Sequence, residues 1–212
     1  DYKQNIIDLL VTLVDSGYVK AADYQSYYPG IYIDAKVAWK KQQAKEEKMM
    51  EASNKKIMEN EGEDMEDDYV SGGNSYELND YAVLLMPFYD SNKNVKLYFT
   101  KLLQSRDELV RMNAAVLLLR NKKEVPDSIL QNLAANDQQR GLLFYKLEKA
   151  GRLDKFPAAY KNQLDLARSY MVMQNGSAKM DSVVFLKKTT ASLKGKTGTL
   201  YFFKYRVKKT DD

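Results

Sequence analysis

The 212-residue chain contains no cysteine and no histidine. Their absence excludes Ser-His and Cys-His nucleophilic sites, thiol redox chemistry and every zinc site built on nitrogen or sulfur. A chain without thiols is also indifferent to the redox state of its compartment. Glycine (10) and proline (4) are scarce, which argues against a loop-rich sandwich and for helix. No apolar run approaches the roughly 18 residues that announce a membrane span, so no transmembrane segment is expected. What is there is ordinary for a globular protein: 44% hydrophobic and 29% charged residues, which excludes a wholly disordered or fibrous chain. A mass of 24.4 kDa is ample for a buried core. The net charge of +4 is too mild to name a partner. The chain opens at Asp1 directly on an amphipathic pattern, with no charged and apolar leader before it. It closes at Thr210-Asp211-Asp212, just after a β-like run, so a fragment truncated at both ends is expected. Abundant tyrosine (16) without cysteine suits an exported bacterial protein, periplasmic or at the cell surface.

Ile6, Ile7, Leu10, Leu13 and Val14 recur at helical spacing, with Gly17 just beyond as a C-cap; this predicts a helix over roughly 2–16. Tyr18, Tyr24, Tyr27, Tyr28 and Tyr32 surround Pro29-Gly30, which reads as a turn. Packing of tyrosine ring faces, hydroxyls at the rim, is the preferred reading over a ligand-stacking surface. From Asp34, a plausible N-cap, to about Asn60 the composition is that of a helix. Its apolar residues form no continuous heptad stripe, so it is expected to be largely solvated. Residues 59–68 hold seven carboxylates in ten and run into Ser71-Gly72-Gly73-Asn74-Ser75. The spacing fits no EF-hand loop, and a block of one charge is usually a solvated linker. Beyond it, Leu78–Tyr89 reads as a short apolar helix stopped near Pro87, and Val95–Leu103 as another.

A repeating grammar follows. Asp107 opens a polar corner, and the helix after it buries Val110, Ala114, Leu117 and Leu118, with small Ala114 and Ala115 allowing a close neighbour. Val125-Pro126 places a proline at the first position of the next helix, which carries Ile129, Leu130 and Leu133. Asn136-Asp137-Gln138-Gln139-Arg140 then repeats the corner, Leu142, Leu143, Tyr145 and Leu147 repeat the buried run, and Phe156-Pro157 stands where Val125-Pro126 stood. Asp107 and Asp137 are 30 residues apart, Pro126 and Pro157 are 31. Such a period marks stacked helix pairs. On these residues, 94–168 resembles the short HEAT-like (armadillo-type) helical repeat, with the corner Asp, the Val-Arg of 110–111, the paired alanines and the Val-Pro. In the second unit Val-Arg becomes Gln139-Arg140 and the alanines become Leu143 and Phe144. The resemblance implies a curved docking surface, and structural rather than catalytic roles for Asp107, Arg111, Pro126, Asp137, Arg140 and Pro157.

Asp181–Leu193 and Thr197–Lys209 are β-branched and aromatic around a Gly-containing loop, which predicts a hairpin. Tyr201, Phe203, Tyr205 and Val207 alternate with Phe202, Lys204, Arg206 and Lys208. Residues 182–210 carry eight basic side chains and no acidic one. Lys187, Lys188, Lys194, Lys196, Lys204, Arg206 and Lys208 are therefore the candidate contacts for a polyanion. Lysines defending a sheet edge are the preferred reading, because no glycine-aromatic signature of an RNA-binding sheet is present.

The expected fold is mainly α: stacked helical hairpins, a HEAT-like α-solenoid fragment, with a C-terminal β-hairpin. Its parts are an N-terminal helical segment with a long charged helix (1–58), an acidic and Gly-Ser linker (59–76), the HEAT-like region (77–175) and the basic aromatic hairpin (176–212). The expected function is a non-enzymatic scaffold or subunit that docks other protein chains. No catalytic residue, cofactor or metal is expected, and nucleic-acid or polyanion binding through the hairpin is the alternative.

Overall fold

The computed structural model describes residues 2–58, 74–174 and 180–207, and the chain is mainly α with one C-terminal two-stranded antiparallel hairpin. The helices are α1 (Tyr2–Asp15), α2 (Ala21–Tyr24), α3 (Tyr28–Met58), α4 (Asn74–Leu85), α5 (Lys93–Leu103), α6 (Glu108–Arg120), α7 (Asp127–Ala135), α8 (Asp137–Lys149) and α9 (Gln163–Gln174); the strands are β1 (Met180–Leu193) and β2 (Lys196–Val207). No described helix is long and apolar enough to cross a membrane. The acidic block 59–68, and with it most of the expected linker, lies outside the described residues. The compact units divide between Val125 and Pro126, not at that block. The reason is that α3 and α4, on either side of it, pack on each other.

The first unit is built from apolar residues at helical spacing. Val95, Tyr98, Phe99 and Leu102 of α5 meet Leu78, Tyr81, Ala82 and Leu85 of α4, Ala35, Ala38 and Trp39 of α3, and Val110, Ala114, Leu117 and Leu118 of α6. α1 lies against this core through Ile7, Val11 and Val14, none of them fully buried. As expected, α1 ends at Gly17, whose φ of +76° lets Tyr18 N–H reach Leu13 O at 2.9 Å. The tyrosine segment differs from the expected loop. Pro29-Gly30 lies inside the first turn of α3, where a proline needs no intrahelical acceptor. Asp34 is therefore no N-cap; it pairs with Lys3 at 2.9 Å. The rings do pack: Tyr28 stacks on Tyr32 at 6.0 Å and touches Phe88 at 5.0 Å, and buried Tyr24 donates to Leu84 O at 2.9 Å.

In the second unit, α7 contributes Leu130, Leu133 and Ala134, and α8 contributes Leu143 and Leu147. Tyr145, expected in the buried run, is 53% exposed. Phe144 meets Phe156 edge-on at 5.2 Å. α8 approaches α9 closely at Gly141, whose N–H donates to the buried Ser169 Oγ at 2.7 Å.

The two corners are built alike, with Arg111 matched to Arg140 as expected but with a different residue as the second cap. Asp107 caps α6 by accepting from Leu109 N and Val110 N; its counterpart is Asn136, which accepts from Gln138 N. Asp137 is therefore not the second cap but the first residue of α8, matching Glu108. Arg111 donates to Ser105 O at 2.7 Å and Arg106 O at 3.2 Å, and Arg140 to Ala134 O at 2.7 Å and Ala135 O at 3.1 Å, the carbonyls six and five residues back in both cases. Each arginine also pairs with the acid three residues before it: Arg111 with Glu108 at 3.5 Å, Arg140 with Asp137 at 2.7 Å. Both helices end in the same way, with Lys122 at φ +58° and Gly151 at φ +65°. Thus the structural period is 29 residues, seen at Asp107 and Asn136, at Arg111 and Arg140, and at Lys122 and Gly151. A turn of 3₁₀ helix at Leu153–Lys155 lengthens the second connection, which is why the prolines are 31 apart. Pro126 is the N-cap of α7 rather than its first residue. Pro157 precedes a single 3₁₀ turn, Ala158–Tyr160, and the full helix α9 begins only at Gln163.

Candidate functional site

Each corner is locked by a further helix of its own unit. Glu46 of α3 accepts from Ser105 Oγ and, at 3.1 Å, from Arg106 N; Gln42 donates to Glu46 at 3.0 Å and to Asp107 at 3.3 Å. In the second corner Arg140 reaches Asp165 O at 3.1 Å, its guanidinium carbon lies 5.1 Å from the centre of the Tyr160 ring, and Arg168 pairs with Asp137. Asp107, Arg111, Asp137 and Arg140 are therefore engaged in hydrogen bonds and ion pairs of the corners, whereas Pro126 is exposed at the start of α7. Gln42 and Glu46 escape a reading of local periodicity, because their partners lie about sixty residues away.

The titratable groups with displaced protonation are also packing groups. Asp80 is raised to about 6 by burial and by Asp8, and Gln4 donates to both carboxyls at 3.2 and 2.7 Å. Burial lowers Lys146 and raises Tyr98, and raises Tyr24 and Tyr81 to about 12. Among the described residues no group of three or more acidic side chains is arranged to hold a metal ion. A cleft of about 480 Å³ runs between Trp39, Glu46 and Met50 of α3 and Lys101, Gln104 and Arg106 at the end of α5. Its charges are mixed in sign and Glu46 is already committed to the corner, so it selects no ligand chemistry.

The hairpin is different. Lys194 (φ +46°) and Gly195 (φ +76°) form a two-residue turn with both residues left-handed, the geometry that matches strand twist. Partners across the sheet are Val183 and Tyr205, Phe185 and Phe203, Lys188 and Tyr201 on one face, and Ser182 and Arg206, Val184 and Lys204, Lys187 and Phe202, Thr189 and Leu200 on the other. β1 carries irregularities at Asp181 and Leu186, whereas β2 runs unbroken. The hairpin leans on α9, mostly through β1, and leaves a groove of about 480 Å³ between Gln163, Ala167, Tyr170 and Met171 of α9 and β2, whose Tyr201, Phe203 and Tyr205 line it from the first face, with Leu200 and Phe202 from the other. The groove was illegible in sequence because nothing local says which side of α9 meets the strands. Outside it, Val184 and Leu186 are 55–59% exposed, and Leu200 at its rim is 50% exposed, apolar side chains that the described chain leaves largely uncovered.

Six of the seven basic candidates lie on this hairpin. Lys187 sits 5.2 Å above the Phe202 ring, Lys194 is in the turn, Lys196 opens β2, and Arg206 pairs with Asp181, the acid just before the basic stretch. Lys187, Lys204 and Arg206 share the face away from α9; Lys188 is alone among the aromatic residues on the other. Lys208 lies outside the described residues. Compared with known protein families, with curated proteins and with solved structures, the chain matches none.

Proposed function

We propose that the chain is a non-enzymatic protein-interaction module: helix pairs of the HEAT-like kind form a stiff frame, and the C-terminal hairpin is the element that docks another protein chain. The observation that carries this reading is the hairpin's exposed apolar side chains, each 41–59% exposed: Val184, Leu200 and Phe202 on one face, Phe185 and Tyr205 on the other, and Leu186 at the irregularity of β1. So many large apolar side chains exposed on one short element mark it as a surface for a partner. The matched corners, with their caps, arginines and helix ends spaced alike, support the repeat reading of 94–168. A photocrosslinking amino acid at Leu200, compared with one at exposed Leu97 of α5, tests the proposal in the source cells. A discrete protein adduct at Leu200 alone is expected. Protein adducts at Leu97 alone would move the docking to the helices, and nucleic-acid adducts at Leu200 would favour the alternative, polyanion binding through Lys187, Lys188, Lys194, Lys196, Lys204 and Arg206.

A further inference from the structure

Resting on that reading, we infer that the free edge of β2 accepts an acidic, extended protein segment as a third strand, with apolar side chains over the groove beside α9 and carboxylates along the opposite face. The edge follows from the irregularities. β1 is interrupted at Asp181 and Leu186, and a bulge disrupts the ladder and turns a strand edge away from pairing. β2 presents an unbroken run from Lys196 to Val207 whose outward N–H and C=O groups have no partner strand among the described residues. Main-chain pairing along such an edge supplies affinity, and alternate side chains supply specificity.

The pattern of the guest strand follows from β2's two faces. Tyr201, Phe203 and Tyr205 line the groove walled by Tyr170 and Met171 of α9, with Leu200 and Phe202 at it from the other face, so apolar guest side chains are favoured there. Lys204 lies on the other face with Lys187 near it and with Arg206, whose guanidinium pairs with Asp181 and is otherwise exposed, and a carboxylate opposite a cation is the favourable cross-strand pair. A guest alternating apolar and acidic residues satisfies both faces at once. A second copy of β2 would instead bring lysines and an arginine against their like, which is unfavourable. A single-stranded nucleic acid needs rings and cations on one surface. Here most of them are on opposite faces: Phe185, Tyr201, Phe203 and Tyr205 share a face with Lys188 alone, and Phe202, beneath Lys187, is the one ring on the face of Lys204 and Arg206.

Panning a random 12-residue peptide display library on the whole chain tests this, with a labelled mixed-sequence 20-nucleotide single-stranded DNA titrated in parallel. Enriched peptides are expected to alternate Asp or Glu with apolar residues. Binding of the best peptide is expected to fall at least tenfold on Lys204→Glu with Arg206→Gln, and on methylation of alternate peptide nitrogens. Circular dichroism confirms that the variant, altered only at exposed positions, is folded. Peptides that bind the hairpin without acidic bias, or that tolerate methylation in both registers, would overturn the acidic strand and leave protein docking standing. Tighter binding of the oligonucleotide than of any peptide would overturn both. Enrichment of no peptide, or dimerisation of the free chain lost in a Lys204 variant, would overturn the inference, and the Leu200 crosslink would then judge the docking reading separately.

Discussion

Arg140 is the side chain on which the second unit's corner turns. It is 5% exposed, and its guanidinium donates to the carbonyls of Ala134, Ala135 and Asp165 while pairing with Asp137 at 2.7 Å. Arg140→Met keeps the aliphatic stem but leaves those three carbonyls and one carboxylate short of a donor. Removing one partner from a buried ion pair costs about 3–5 kcal/mol, and that range is expected here. Arg111 is the internal control. It makes the same two backbone bonds, but its side chain is 22% exposed and its acid lies at 3.5 Å. Water replaces part of what Arg111→Met removes, so about 1–2 kcal/mol is expected. Arg140→Lys would recover little, because one ammonium cannot reach three carbonyls in the planar fork that a guanidinium supplies. The assay is hydrogen exchange resolved by peptide, with urea unfolding followed by circular dichroism. Arg140→Met should speed exchange across 129–149 and over α9; Arg111→Met should act on α6. The single tryptophan, Trp39, belongs to the first unit, so its fluorescence reports the Arg111 variant directly. Equal losses for the two methionine variants would refute the reasoning, since burial is the difference between them.

Three further outcomes are expected. Asp80, raised to about 6, binds a proton in the folded chain at pH values where the unfolded chain, with its carboxyl near 3.8, has lost it. Its contribution therefore destabilises above pH 6 and stability rises as pH falls from about 7 toward 4; Asp80→Asn should raise the melting temperature at pH 7.5 and flatten that slope, and a pH series of thermal melts checks it. Gly141→Ala would put a Cβ 3.0 Å from Ser169 Oγ and should cost about 1–3 kcal/mol in urea unfolding, with Gly141→Ala/Ser169→Ala recovering much of it. Asp107→Ala removes the cap of α6 and one tie to Gln42, so about 1–2 kcal/mol should be lost, while Asp107→Asn, which can still accept from Leu109 N, should lose less.

How much was legible in sequence follows from the range over which each element is decided. Helices α1, α5 and α6 and the hairpin are set by local periodicity, caps and a two-residue turn, and all stand close to where the spacing predicts them. The tyrosine segment around Pro29 was misplaced as a turn because proline is read as a breaker, yet in a first turn it costs nothing. Within the repeat, the arginines and the positions of Ala114 and Ala115 are paired at the spacing found in the structure, whereas Asp107 is paired one residue too far along, with Asp137, which resembles it chemically while Asn136 does its job. The clamp by Gln42 and Glu46, the Asp8–Asp80 pair and the groove beside α9 depend on contacts between distant segments, and no window of sequence contains both partners.

The same distinction separates the two kinds of exposed surface. On α3, Ile33 and Val37, and Met49 and Met50, are exposed in small groups among charged side chains, which a surface helix tolerates. On the hairpin, exposed apolar residues lie on both strands, because period-2 alternation places large side chains on both faces and α9 covers them only in part. A strand pair that is apolar toward a helix and mixed apolar and cationic toward solvent is incompletely buried. Two strands are marginal in water without a third or a packed layer, and α9 supplies that layer over part of one face only. The third strand proposed for β2 would complete that layer, and the cations beside it are the reason an acidic guest is proposed.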